Sequence, residues 1–283
     1  MKIVIVSGQS GSGKSVVMRV LEDAGYCCVD NLPASFVPQL ITKWTAAGET
    51  HLAISCDTRS ATALQALPTT LDQLRAQGHD VKALFLTTNN ATLIQRYSES
   101  RRRHPLATQP QSAQMTLLEC IQQERDILAP IAAISHVVDT SGLAVQTLRA
   151  WVIDFVSADR APLTLLFESF AFKQAIPLDA DLVFDVRCLP NPYYDLALRP
   201  LSGLDAPVAQ YLGGIETVRD MIGDITRFVS KWLPHYLHDN RSYLTVAVGC
   251  TGGQHRSVYC VQEIAKHFAA REQVLVRHRA LAK

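Results

Sequence analysis

Two short stretches carry residues whose types and order suit phosphate chemistry. The first is Gly8-Gln9-Ser10-Gly11-Ser12-Gly13-Lys14-Ser15, which fits the pattern G-x-x-x-x-G-K-[ST]. Glycines at its first, fourth and sixth positions let the main chain fold tightly, so that its N–H groups converge on phosphate oxygens. Lys14 would neutralise the β- and γ-phosphates of a nucleotide, and the Ser15 hydroxyl would reach Mg²⁺. A Gly/Ser-rich turn can match the pattern by chance, and the flanks decide. Ile3-Val4-Ile5-Val6 reads as a buried parallel strand entering the loop, and Val17, Val20, Leu21 and Ala24 recur at helical spacing after it. A strand in and a helix out set the positive end of the helix against the phosphates, and favour the phosphate loop.

The second stretch is Gly249-Cys250-Thr251-Gly252-Gly253-Gln254-His255-Arg256-Ser257. It too lies between a strand, Tyr243 to Val248, and a helix from about Val258 to Ala270, the arrangement that binds anions. Cys250, five residues, Arg256 and Ser257 also match the loop of a cysteine phosphatase. There the backbone cradles a phosphoryl group, the arginine grips two oxygens and the helix end lowers the thiol pKa. Three readings stand side by side: a non-catalytic site for a phosphorylated metabolite or an RNA phosphate, a thiol phosphatase, and a structural loop. A phosphatase also needs a positioned general acid, and none is evident in the sequence.

Acids and arginines surround the first loop in sequence. Asp30 and Asp57 each follow a strand pattern, where open parallel sheets bind ligands. Either acid could hold Mg²⁺ through water or orient a nucleophile; equally, Asp is favoured there as a turn or capping residue. Arg101-Arg102-Arg103 before His104-Pro105 reads either as a lid over phosphates, joined by Arg96, or as a solvated helix end.

The elements that must position these residues alternate. Strand patterns at Tyr26–Val29, His51–Cys56, Ala83–Thr88 and His136–Thr140 are separated by helical ones, the last at Leu143–Val156. Alternation implies a parallel sheet with right-handed crossovers. Ser157-Ala158-Asp159-Arg160-Ala161-Pro162 is polar and proline-ended, a linker. The expected fold class is therefore α/β: an N-terminal P-loop domain over 1–156, and over 163–283 a second α/β domain with its own phosphate-type loop.

Bulk properties narrow the class. At 283 residues, 48% hydrophobic and 19% charged, the chain suits a globular protein with an ample core. No apolar stretch approaches the roughly 20 residues needed to span a bilayer. Seven cysteines without a C-x-x-C pair argue against a zinc ribbon and a disulfide framework, and a cytoplasmic location is expected. Net charge is +1, yet residues 241–283 hold seven Lys/Arg against Glu263 and Glu272. That basic end suits either a polyanion or a solvated face with a frayed tail.

Taken together, the first loop, Glu22 to Pro33, Asp57-Thr58-Arg59, Arg101 to Leu106, Val138 to Ser141, Phe167 to Phe170, Phe184 to Arg187 and Gly249 to Tyr259 resemble the RapZ/YvcJ family of bacterial P-loop proteins. The resemblance spans nearly the whole chain. It implies a kinase-like P-loop domain that binds and slowly hydrolyses ATP and GTP with Mg²⁺, in a role that is chiefly regulatory. It also implies a C-terminal domain that binds glucosamine-6-phosphate and small regulatory RNA as an RNase adapter, delivering the RNA to an endoribonuclease, and a homo-oligomer, a tetramer in the adapters. On this resemblance Gly8 to Ser15 matches the ATP loop; the catalytic candidates read from the residues themselves are Lys14, Ser15 and Asp30. Asp57, Thr58, Arg59 and Ser60 match a GTP segment, and Asp185, Cys250, Thr251, Gly252, His255 and Arg256 match the effector site. Ser60 stands where the family usually has Asn, Tyr193 where the adapters have His, and the tail is shorter and less basic than theirs. A small-molecule P-loop kinase is the alternative reading of the first loop and its arginines.

Overall fold

The run entering the first glycine loop folds as β1 (Lys2–Gly8), and every residue of it after Lys2 is buried. Burial on both faces is what a parallel sheet covered by helices requires. A computed structural model describes residues 1–56, 67–108, 114–158, 163–238 and 243–281, in two compact units, Met1–Ala158 and Asp159–Lys283. In the first unit β1 is joined by β2 (Cys27–Val29), β3 (His51–Ser55), β4 (Asp80–Thr87) and β5 (His136–Asp139). All pair in parallel, in the order β2-β3-β1-β4-β5, so the glycine loop leaves the central strand.

Among the described residues of this unit the α-helices are α1 (Lys14–Asp23), α2 (Val37–Ala46), α3 (Leu67–Ala76), α4 (Asn90–Ser100), α5 (Leu117–Ala132) and α6 (Val145–Ser157). One core unites Ile3 and Ile5 of β1 with Ile54, Ile41, Leu71 and Leu128. The start of α5 is fixed by a capping box, Thr116 with Glu119. No side chain caps α1; Gly13, at φ +111°, leads straight into it. Its first N–H groups therefore have no side-chain partner at the cap position.

In the second unit β6 (Thr164–Ala171), β7 (Leu182–Asp185), β8 (Tyr243–Cys250) and β9 (Gln273–His278) form a parallel sheet in the order β7-β8-β6-β9. Its helices are α7 (Ala206–Gly213), α8 (Glu216–His238) and α9 (Arg256–Phe268). Leu165 and Phe167 of β6 meet Ile225, Val229, Val261 and Ile264 in the core.

Strand β9 corrects the reading of the C-terminal residues as a solvated face or tail. Gln273 to His278 pair along β6 from Thr164 to Ser169, and Arg277 is buried. Arg279 Nη1 donates to the buried carboxylate of Glu168 at 3.3 Å. Two of the arginines counted toward a polyanion are thus engaged inside this unit.

Candidate functional site

The first loop is built against β4. Gly8 has φ +138°, and a Cβ there would stand 2.3 Å from Leu86 O, so only glycine lets the chain leave β1 at this point. Gln9 then locks the loop to the neighbouring strand end: its Oε1 accepts from Thr88 N at 2.8 Å and from Thr87 Oγ1 at 3.2 Å. Its Nε2 is buried and has no hydrogen-bond partner among the described residues. Ser12 folds back, with its N–H and hydroxyl both donating to Gln9 O. Thr140, just after β5, donates to Ser12 O at 2.8 Å.

Lys14 closes the loop on itself. Its Nζ donates to Gly8 O at 2.7 Å and Gln9 O at 3.0 Å. A cation resting on carbonyls of its own loop is placed to exchange them for phosphate oxygens, which are charged acceptors. The adjacent Ser15 side chain is exposed and makes no hydrogen bond with a described residue, so its hydroxyl is available to a cation. It fits the Mg²⁺ role expected of it, with phosphate oxygens supplying most of the shell. Among the described residues no cluster of three or more His, Cys, Asp or Glu could hold a metal unaided.

The remaining candidates fall as follows. Asp30 is exposed beyond β2, with β3 between that strand and β1. Its carboxylate accepts from Asn31 N at 3.0 Å, and among the described residues it makes no hydrogen bond or ion pair with Lys14 or Ser15. Asp57, Thr58, Arg59 and Ser60 lie outside the described residues. Arg101, Arg102 and Arg103 are exposed. Arg96, grouped with them from the sequence, instead turns inward, donating to Gly11 O at 2.9 Å and to Thr140 O at 3.0 Å.

Sequence reasoning missed the group that holds the apex of the loop. Glu124 on α5 is buried, and its carboxylate takes both donors of Ser10, the N–H at 2.8 Å and the hydroxyl at 2.7 Å. His104 Nε2 lies 3.2 Å from the same carboxylate. Burial works against the ionised form, but the bonds from His104 and Ser10 and the charge of Lys14 outweigh it. The carboxyl is held below the usual range. One signal was present: Ile121, Glu124, Leu128 and Ile131 follow the buried stripe of the helix, and an acid in that stripe requires a partner.

The second loop is built on similar lines. A Cβ on Gly249 would stand 2.4 Å from the ring of Phe170, so this position admits only glycine. Cys250 Sγ accepts from Gly253 N at 3.2 Å and lies 3.2 Å from Ser257 Oγ, and the thiol is buried. Arg256, the first residue of α9, is also buried. Its Nη1 donates to Arg187 O at 2.8 Å and Leu189 O at 2.9 Å, and its Nη2 lies 3.4 Å from Thr251 Oγ1. Among the described residues its Nε has no hydrogen-bond partner and the guanidinium makes no ion pair, although its charge helps to lower the Asp185 carboxyl. His255 Nε2 donates to Leu198 O at 3.2 Å, which ties the loop to the chain before α7. Asp185 faces outward, and bonds from Arg187 hold its carboxyl below the usual range. The side chain of Tyr193 is half exposed, with the Arg199 guanidinium 4.6 Å above its ring. A buried guanidinium that makes no ion pair with a described carboxylate, beside a helix start that no side chain caps, offers positive charge toward an anion.

The chain as a whole is similar to known proteins. Residues 1–160 match the family described as RapZ-like N-terminal domain, and residues 163–282 match RapZ C-terminal domain. A protein of Herminiimonas arsenicoxydans named nucleotide-binding protein is 56% identical across 99% of this chain and 100% of its own length. One of the same description from Bordetella petrii is 54% identical across 99% of this chain and 97% of its own. Among solved structures, a gluconokinase from Sinorhizobium meliloti 1021 aligns with 55% of this chain and 91% of its own, at 16% identity and a TM-score of 0.36.

Proposed function

Because the chain belongs to the RapZ family along nearly its full length, we propose that it is a nucleotide-binding regulatory protein with weak ATPase and GTPase activity. The observation that carries this reading is the state of the first loop. Lys14 rests on the carbonyls of Gly8 and Gln9, as the first residue of a helix that no side chain caps. Cation, loop amides and helix start form one receptor for a polyphosphate, with Mg²⁺ entering beside Ser15. Incubation with ATP or GTP and Mg²⁺ is expected to release inorganic phosphate slowly, and Lys14→Ala to lose that release. Undiminished hydrolysis by the variant would reject the assignment.

The second unit, in this reading, senses a phosphorylated ligand, a sugar phosphate such as glucosamine-6-phosphate and/or a small regulatory RNA handed to an endoribonuclease, within a homo-oligomer. Support comes from the buried Arg256, which makes no ion pair among the described residues although Asp185 senses its charge, and from Cys250, Thr251, Gly252 and His255 in the same loop. With Arg277 buried and Arg279 bonded to Glu168, fewer basic groups remain for RNA, so its affinity should be lower and should fall only gently with salt. The kinase alternative rests on exposed Arg101, Arg102 and Arg103 near the first loop. It requires the γ-phosphate to appear on an acceptor instead of in solution.

A further inference from the structure

We propose that Glu124 is a positioning residue that occupies the first loop in place of a terminal phosphate, so that a nucleoside triphosphate must displace it and a diphosphate need not. The inference rests on the nucleotide reading above and adds to it which phosphate the protein senses. Three contacts motivate it. The carboxylate takes both donors of Ser10, at 2.8 and 2.7 Å, including a main-chain N–H of the kind that glycine loops offer to phosphate. Next to Ser10, Lys14 sits on the carbonyls of Gly8 and Gln9, so the cation meant for the β- and γ-phosphates and the carboxylate bracket one turn of chain. His104 Nε2 also lies 3.2 Å from the Glu124 oxygen that accepts from Ser10 N, and its ring lies 5.5 Å from that of Tyr97.

The loop is therefore neutralised from within. An incoming terminal phosphate brings negative charge to Lys14 and competes with Glu124 for Ser10. In a buried setting two such anions repel strongly. Releasing the carboxylate also frees His104, the residue that directly follows Arg101-Arg102-Arg103. Occupancy of the loop by a triphosphate is thus coupled to the arginine segment through one hydrogen-bonded chain, Ser10–Glu124–His104. A diphosphate reaching less far past Lys14 leaves the chain intact.

Affinities for ADP and for a non-hydrolysable ATP analogue, both with Mg²⁺, test this on the full-length protein. Glu124→Gln keeps the shape and removes the charge, and is expected to tighten triphosphate binding on the order of tenfold more than diphosphate binding. His104→Gln keeps the charge but removes one anchor, and should move the same ratio in the same direction by a smaller factor. Lys14→Ala should weaken both nucleotides. Equal changes for both nucleotides in Glu124→Gln overturn the proposal, while the loss in Lys14→Ala leaves the nucleotide reading standing. If Glu124→Gln does not fold, an unchanged ratio in His104→Gln overturns it instead. Failure of the unsubstituted protein to bind either nucleotide brings down both.

Discussion

Glu168 is wholly buried on β6, in register with Arg277 of β9. Burial first, and Asp179 next, push its carboxyl up to about 8 against the pull of Arg279 and Arg277. The folded chain then keeps a proton that the unfolded chain gives up near the ordinary value of 4.5. Stability from this group is complete below that value and is lost as pH rises toward 8. His278 acts in the opposite sense. Burial lowers it from 6.5 to about 4, while its Nδ1 lies 2.8 Å from Ser169 Oγ, so stability is lost as pH falls through that interval. The two contributions oppose each other at mildly acid pH. Above 6.5 only that of Glu168 is left. The melting temperature of the second unit should therefore fall between pH 6.5 and 8, with stability changing by up to about 1.4 kcal/mol per pH unit. Glu168→Gln should flatten that slope. A variant with the same decline as the parent would show that another group is responsible.

At the scale of elements, β9 decides what the end of the described chain is for. It pairs with β6 over six positions and covers an edge of a strand whose eight residues are all buried. Truncation before Gln273 is expected to unpair β6 and abolish the cooperative melt of this unit, because the exposed surface is comparable with what the 5–15 kcal/mol stability of a domain can withstand. A truncated chain that melts like the parent and loses only affinity for RNA would return these residues to the role of a tail. The sequence hid this strand for a physical reason. Gln273-Val274-Leu275-Val276-Arg277-His278 ends in two polar side chains, and at the edge of the sheet its residues are mostly half-buried, so neither a long apolar run nor a clean alternation marks it. The first sheet was legible because β1 and β4 are apolar runs bounded by glycine or polar turns. The glycine loops were legible because their geometry needs particular residues in a fixed order. Glu124 was not, since an acid on a helix is solvated by default and only its place between Ile121 and Leu128 marked it as buried. Likewise Arg96 joined a basic surface on paper, whereas the fold spends it on Gly11 and Thr140.

The whole molecule carries two anion-type loops in two units with separate cores. Its net charge of +1 gives little long-range attraction for polyanions, so recognition must be local to each loop. A ligand that binds only the folded form stabilises the unit that holds it, by about 2.7 kcal/mol at a hundredfold excess over Kd. For units of this size that is roughly a 10 °C rise in melting temperature. Nucleotide with Mg²⁺ should act through Lys14, and a sugar phosphate through Arg256. Lys14→Ala is then expected to cancel the nucleotide-induced rise and keep the one induced by sugar phosphate; Arg256→Met should do the reverse. Arg256→Met also strands the carbonyls of Arg187 and Leu189, so its ligand-free second unit should be weaker by about 1–3 kcal/mol. Differential scanning of both variants with each ligand separates the cases. If either substitution removes both rises, the two loops do not bind independently, and the division of labour between nucleotide and effector fails.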